Sequence, residues 1–463
     1  MLNKTKEYHA GRARLVPAGQ ESLNGYQTVA VKFEKNETVS SHIKRNPRAV
    51  ELRLRDRTIR IASRSSQNNI MFNTDADLLV STKRDMNQYR ELDTDMLLFN
   101  PIHASTSLNT QPYKDNGIDV LVDSGGFQLV QGTTDFVDPI TTQTFYKKHA
   151  TIGVGLDFPS PPFVDALLYK ENCHLQALNN EMIRAGLPSS VSLAPVVHGA
   201  TVKTRLHCLK TVYQPGRDLA LCVSGLAYRR SDSIERSKTV FACLASVLHR
   251  TRKDVLYYHL LGATSNIMIA LCAFLAQTKY VISVGGDSVS HRQSAIGGNY
   301  QLYAHFKKLP TLSQPKLSHV SANLPCPCPI CSAVGDARVL RDFRMSELHH
   351  LYQSISTKMA IEKTVYSYIN GKITRRELLD FVVGPETSKH ATPNMMFDYF
   401  EKIVTDGYDK TPRLAPTEGF TRTSSLFESS GTTRITASQQ ATLDRYAKIH
   451  KVYAKYHKVS KLG

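Results

Sequence analysis

From residue 76 onward, short apolar runs alternate with longer segments of helical periodicity. The runs fall at Asp77–Ser81, Met96–Asn100, Ile118–Asp123, Ile152–Asp157, Val191–His198, Leu219–Ser224, Val255–Gly262 and Tyr280–Asp287. That makes eight candidate strands. Between them, Asp165–Ala185, Val202–Val212, Ser231–His249 and Asn266–Gln277 read as helices. Strand and helix in alternation predict a parallel sheet, and eight such units predict an α/β protein of the (β/α)8 barrel (TIM barrel) type. A doubly wound open sheet is the structural alternative.

In a parallel barrel all C-terminal strand ends meet on one face, where active sites sit. Asp123, Asp157, His198, Ser224 and Asp287 each end an apolar run. Any one of them could instead cap a helix, a role that Asp and Ser often take. Gathered on one face, they would bring three carboxylates and a histidine together.

The segments outside this alternation are different. The first 75 residues are polar and basic: Lys44, Arg45, Arg48, Arg53, Arg55, Arg57 and Arg60 are opposed only by Glu51 and Asp56. Val50, Leu52 and Leu54 alternate with charged residues, a period of two that predicts a half-exposed hairpin. Its basic side is either a solvated face or a phosphate-contacting one. Helical segments are expected near Met345–Tyr368 and Arg375–Val382. Thr421–Ser438 is dense in Ser and Thr and reads as a linker. In the tail, Arg445, Lys448, Lys451, Lys455 and Lys458 share one helical face, with Tyr446, Ile449, Tyr453 and Tyr456 on the other. The expected division is a basic N-terminal region (1–75), a catalytic barrel (76–310), a zinc-binding subdomain with closing helices (311–405), a linker (406–440) and a basic C-terminal helix (441–463).

Charge and composition narrow the classes. The chain has 463 residues, 41% of them hydrophobic, and a net charge of +18. That much apolar material excludes a wholly disordered chain. The charge favours an anionic partner, nucleic acid foremost, because lysine and arginine contacts release counterions from phosphates. The most apolar stretch, Ile267–Ala276, is shorter than the roughly 20 residues a membrane helix needs. Residues 1–14 have no apolar core, so no secretory signal is expected and the cytoplasm is the expected compartment.

Cysteine placement adds candidate chemistry. Five of the eight cysteines are scattered, and three fall together as Cys326, Cys328 and Cys331. This is a pattern for a reduced compartment with one metal cluster, not for a disulfide framework. Thiolates this close need a cation, and zinc takes four nitrogen or sulfur ligands. His349 and His350 are the downstream candidates for the fourth, which would make the ion structural. Thiolates also suit iron.

Asp123-Ser124-Gly125-Gly126-Phe127-Gln128 at a strand end, followed far downstream by this cysteine cluster, resembles the tRNA-guanine transglycosylase superfamily. Val197-His198-Gly199-Ala200, Ser224-Gly225-Leu226-Ala227, His259-Leu260-Leu261-Gly262 and Leu348-His349-His350-Leu351-Tyr352 resemble further segments of it in the same order. The resemblance spans about residues 76–370 and implies a (β/α)8 barrel with one structural Zn(2+), in which His349 is the fourth ligand. It implies that a base of the 7-deazaguanine class replaces guanine in a nucleic acid. Asp287 would attack the sugar's anomeric carbon and Asp123 would move the proton. Asp157 would read the base's amidine edge, with His198 and the Gly225–Leu226 backbone on its carbonyl side. Phe127 and Leu261 would sandwich the ring, beside Ser124.

Three departures sharpen the expectation. Gly286-Asp287-Ser288 replaces the family's usual Phe-Asp-Cys, His198 replaces a glutamine, and Ser224-Gly225 replaces a double glycine. They fit the branch that places preQ0-type 7-deazaguanines in DNA better than strict tRNA chemistry. Arg53, Arg55, Arg292, Lys448, Lys451 and Lys455 are the expected phosphate contacts. A tRNA enzyme is the alternative within the family, and a helper protein or a homodimer is compatible with either. A non-catalytic nucleic-acid-binding subunit and a sugar glycosidase are the alternatives from other classes.

Overall fold

The computed structural model describes residues 70–75, 96–99, 110–115, 119–160, 163–226, 234–263, 265–288, 346, 349–350, 360–385, 389–407 and 436–460. The expected strand Asp77–Ser81 lies outside them. Strands among the described residues are β1 (Ile70–Asp75), β2 (Met96–Phe99), β3 (Asp119–Val122), β4 (Ile152–Val154), β5 (Ser192–Ala194), β6 (Val196–Val197), β7 (Ala220–Val223), β8 (Tyr257–Leu260) and β9 (Ser283–Ser288). Helices are α1 (Gln111–Asp115), α2 (Gly126–Gln131), α3 (Pro139–His149), α4 (Ala166–Ala185), α5 (Val202–Val212), α6 (Ile234–Thr251), α7 (Asn266–Gln277), α8 (Arg375–Val383), α9 (Ala391–Asp406) and α10 (Ala437–Ser460). The protein is of the α/β class with a parallel sheet. No helix among the described residues is long and apolar enough to cross a membrane.

The chain divides into two compact units. One holds the described residues of Met1–Leu97, Asn266–Phe274 and Ser288–His390. There, α8 starts with a capping box in which Thr374 and Glu377 satisfy each other's backbone N–H groups. Leu378, Leu379 and Val382 of α8 are buried.

The other unit holds the described residues of Leu98–Ser265, Leu275–Asp287 and Ala391–Gly463. Five of its strand pairs are described, and each is parallel: β3 with β4, β4 with β5, β6 with β7, β7 with β8, and β8 with β9. The expected strand over 191–198 is broken at Pro195, which has no N–H to give a neighbour. Before the break the chain pairs with β4, and after it with β7. The Pro195 carbonyl still accepts from Cys222 N (3.0 Å). One chain segment therefore pairs with both β4 and β7, parallel to each.

Strand residues are buried on both faces, as at Ala220–Val223 and Tyr257–Leu260. That burial explains why these strands read as continuous apolar runs. Helices cover them: α3 packs on α4, α4 on α5, α5 on α6 and α6 on α9. A bidentate ion pair ties α4 to the approach to β7: Arg184 donates Nε and Nη2 to the two Asp218 oxygens, each at 3.0 Å.

Candidate active site

β3 ends at Val122 and delivers Asp123-Ser124-Gly125-Gly126 into α2. Gly125 turns the chain at φ 80°, a left-handed conformation that glycine adopts without strain. Gly126 has a different reason to be glycine. A Cβ there would lie 2.2 Å from the Asp157 carbonyl oxygen and 2.6 Å from its Oδ1. The start of α2 is thus pressed directly onto Asp157. Asp123 is half-buried and its Oδ1 accepts from Ser124 N (2.7 Å). Ser124 is buried, and its Oγ accepts from Gly126 N (3.3 Å). Phe127, one residue on, is 55% exposed. A ring that size is left in solvent on the rim of a buried acidic site.

Asp157 follows β4 and is buried. Burial disfavours its charged form, the nearby Asp123 charge adds to this, and its carboxyl is pushed up to about 8; a bond from its own backbone N–H opposes them. At neutral pH Asp157 therefore keeps its proton, with Asp123 at the end of the neighbouring strand.

The loops after β6 and β7 are tied by Arg205 of α5. Its side chain is buried and donates to Gly199 O (2.8 Å from Nη2) and to Ser224 O (2.7 Å from Nη1). Beyond Ser224, Gly225 is exposed at φ 68° and Leu226 is buried. Leu261 N donates to Val223 O (2.9 Å), which sets Leu261 at the end of β8 beside that loop. Arg205 carries no motif, and its role is visible only once the loops are folded.

His198 is 3% exposed. Its Nε2 lies 3.1 Å from Gln176 Oε1, and the Gln176 amide nitrogen donates to Val196 O (2.6 Å). The structure brings it to Cys173 of α4 and Cys208 of α5. The two sulfurs and an imidazole nitrogen lie within 4.8 Å of one another, and all three residues are buried. This group could hold a metal ion. Contact with the Cys208 thiol pulls the Cys173 thiol below its ordinary value against the effect of burial, while burial pushes the Cys208 thiol well up. The sequence gives no hint of it, because the three residues share no short spacing.

Asp287 lies within β9, near its C-terminal end; its side chain is outside the described residues. Arg53, Arg55, Arg292, Cys326, Cys328 and Cys331 also lie outside them. His349 is buried, with its ring 4.8 Å from that of His350. His350 donates Nδ1 to Ser346 O (2.6 Å).

The C-terminal helix α10 is bound to the segments that follow the two aspartates. Tyr446, Ile449 and Tyr453 are buried. Tyr446 donates its hydroxyl to Pro159 O, and Tyr453 donates to Val137 O (2.7 Å). Tyr456 donates to Asp138 Oδ1 (2.6 Å). Arg445, expected beside the lysines, is turned inward: it donates to Val130 O (2.6 Å) and fills the space over Gly132. Without a side chain at Gly132 a guanidinium can lie on that backbone. Lys448, Lys451 and Lys455 are exposed, and Lys448 pairs with Asp135 (2.7 Å).

No protein-family model matches the chain, and no curated protein matches it.

Proposed function

We propose that this chain is a base-exchanging glycosyltransferase acting on nucleic acid, on a (β/α)8 barrel of which the described parallel sheet is an arc. More narrowly, it replaces guanine in DNA with a 7-deazaguanine base. The observation that carries this reading is the Asp123–Asp157 pair: two carboxyl groups at adjacent strand ends, of which the buried Asp157 holds its proton at neutral pH, beside an exposed Phe127.

The chemistry needs each part. Breaking the bond between base and sugar builds positive charge on the sugar, which a carboxylate can capture. The Asp287 carboxylate forms the new bond to the anomeric carbon as the guanine bond breaks. The departing purine takes up a proton through Asp123; the incoming base then attacks the anomeric carbon, the bond to Asp287 breaks, and Asp123 accepts the proton that base gives up. Asp157, protonated in the empty site at neutral pH, releases that proton to solvent as the base enters and then accepts from its amidine edge. Phe127 and Leu261 hold the ring, Ser124 lies beneath it, and the Gly225–Leu226 backbone faces its carbonyl side. His198 is left out of this set because Gln176 already engages its Nε2. Cys326, Cys328, Cys331 and His349 would hold a structural zinc ion, and the buried imidazole of His349 suits a ligand of that kind. Arg53, Arg55, Arg292, Lys451 and Lys455 would meet phosphates, in a cytoplasmic setting.

The test is incubation of the purified protein with guanine-containing DNA, or with tRNA, and a 7-deazaguanine base, followed by nucleoside mass analysis. Exchange in DNA is expected. Exchange in tRNA alone transfers the reading to the tRNA enzymes. Exchange in neither, together with unchanged nucleic-acid binding by the Asp287→Asn variant, favours a non-catalytic subunit.

A further inference from the structure

We infer that Cys173, His198 and Cys208 form a second, buried binding site for a thiophilic divalent cation, zinc foremost, separate from the Cys326–Cys331 cluster. Three independent features point to it. First, the donor atoms converge. Zinc ligands of this kind stand about 3.5–3.8 Å apart when bonds are about 2.0–2.3 Å long. The sulfurs and the imidazole nitrogen already lie within 4.8 Å of one another. A contraction of about 1 Å closes them on an ion.

Second, the imidazole is oriented as metal-bound histidines are. The Gln176 amide nitrogen donates to Val196 O, so Oε1 is the atom that faces His198. An amide oxygen only accepts, so Nε2 carries the proton and Nδ1 holds the free lone pair. Nδ1 is buried and makes no hydrogen bond of good geometry, and the Cys208 thiol lies beside the His198 ring. A carbonyl oxygen that fixes the distal N–H is the usual outer support of a histidine ligand. Leaving such an acceptor buried and unmatched is otherwise costly.

Third, the charges balance. Two thiolates, one neutral imidazole and a divalent cation sum to zero, so the buried group carries no net charge to desolvate. Without an ion the Cys208 thiol donates to Val196 O (3.7 Å), a weak bond it gives up with its proton when the sulfur binds a cation. The ion would pin α4 and α5 to the end of β6. Gly199, next to His198, is where Arg205 begins its tie to the loop after β7. The site would thus be a structural rivet beneath the loops of the candidate active site, not a centre of reaction.

Metal content of purified full-length protein tests this, by comparing wild type with a Cys173→Ser/Cys208→Ser double variant and a Cys326→Ser/Cys328→Ser/Cys331→Ser triple variant. The double variant is expected to lose about one zinc per chain relative to wild type. Unchanged content in the double variant overturns the proposal, as does a Cys173–Cys208 disulfide in the isolated wild-type protein. The triple variant leaves the buried site intact, so it decides the matter where the double variant fails to fold. It is expected to take up about one cobalt ion with thiolate charge-transfer absorption. Absence of that absorption overturns the proposal, whatever becomes of the other cluster or of base exchange.

Discussion

Asp157→Asn removes the one carboxyl group whose ionisation the fold resists most visibly in the candidate site. The ordinary carboxylate value is 3.8, and burial, then the Asp123 charge, lifts Asp157 to about 8. Below about pH 4 both folded and unfolded chains hold the proton, and stability does not depend on it. Between about pH 4 and pH 8 the folded chain keeps a proton that the unfolded chain releases, so stability falls as pH rises, by about 1.4 kcal/mol per pH unit. Above about pH 8 both are ionised, and the loss levels off at roughly 6 kcal/mol. An asparagine of the same shape carries no such dependence. Urea denaturation of both proteins from about pH 5 to about pH 9 reads the difference. The variant should gain on wild type steadily up to about pH 8 and then run parallel to it. Asp123→Asn removes the second cause, so its plateau should begin at a lower pH. A wild-type minus Asp157→Asn difference that changes by less than about 1 kcal/mol over the whole range refutes the buried, proton-holding aspartate.

Three further perturbations bear on the same site. Gly126→Ala drives a methyl group into the Asp157 carbonyl, and should cost about 1–3 kcal/mol of stability and abolish base exchange, measured by denaturation and by the nucleoside assay. Arg445→Ala combined with Tyr446→Phe removes the bonds to Val130 O and Pro159 O; exchange should fall by about 100-fold, since small misplacements of reacting groups cost that much, while nucleic-acid affinity holds. Lys451→Ala with Lys455→Ala should leave turnover at saturating substrate intact and lower the slope of log affinity against log salt by about two, measured by titration of labelled DNA at several salt concentrations.

The parallel sheet was legible because its strands are buried on both faces, and such strands leave continuous apolar runs whatever their neighbours are. Their ends were less legible. Val255–Gly262 was expected as strand where Tyr257–Leu260 is observed, because hydrophobicity continues past the last ladder bond. The helix Pro139–His149 is not legible in the pattern of apolar positions, although its start carries the signals, a capping Asp138 followed by a proline at the first turn. Its apolar stripe is weak, because it buries Thr142 and Gln143 as well as Tyr146. The Asp123–Asp157 pair could be anticipated from strand ends alone. The Cys173–His198–Cys208 group could not, since it exists only through the packing of α4 on α5.

The C-terminal helix shows how a charge pattern can mislead about what a segment does. Its lysines step along one face and suggest a phosphate grip, and that face does lie in solvent. Yet the opposite face carries the structural consequence. Tyr446 holds the carbonyl two residues beyond Asp157, and Arg445 holds the end of the helix that Gly126 begins. Both carboxyl groups of the candidate site are thus backed by a helix more than 270 positions away in the chain. Removing this helix as a unit would change affinity and chemistry together, so its loss cannot assign it to nucleic-acid binding. Only substitutions confined to Lys451 and Lys455 separate the two, because those side chains reach solvent without touching the loops that carry Asp123 and Asp157.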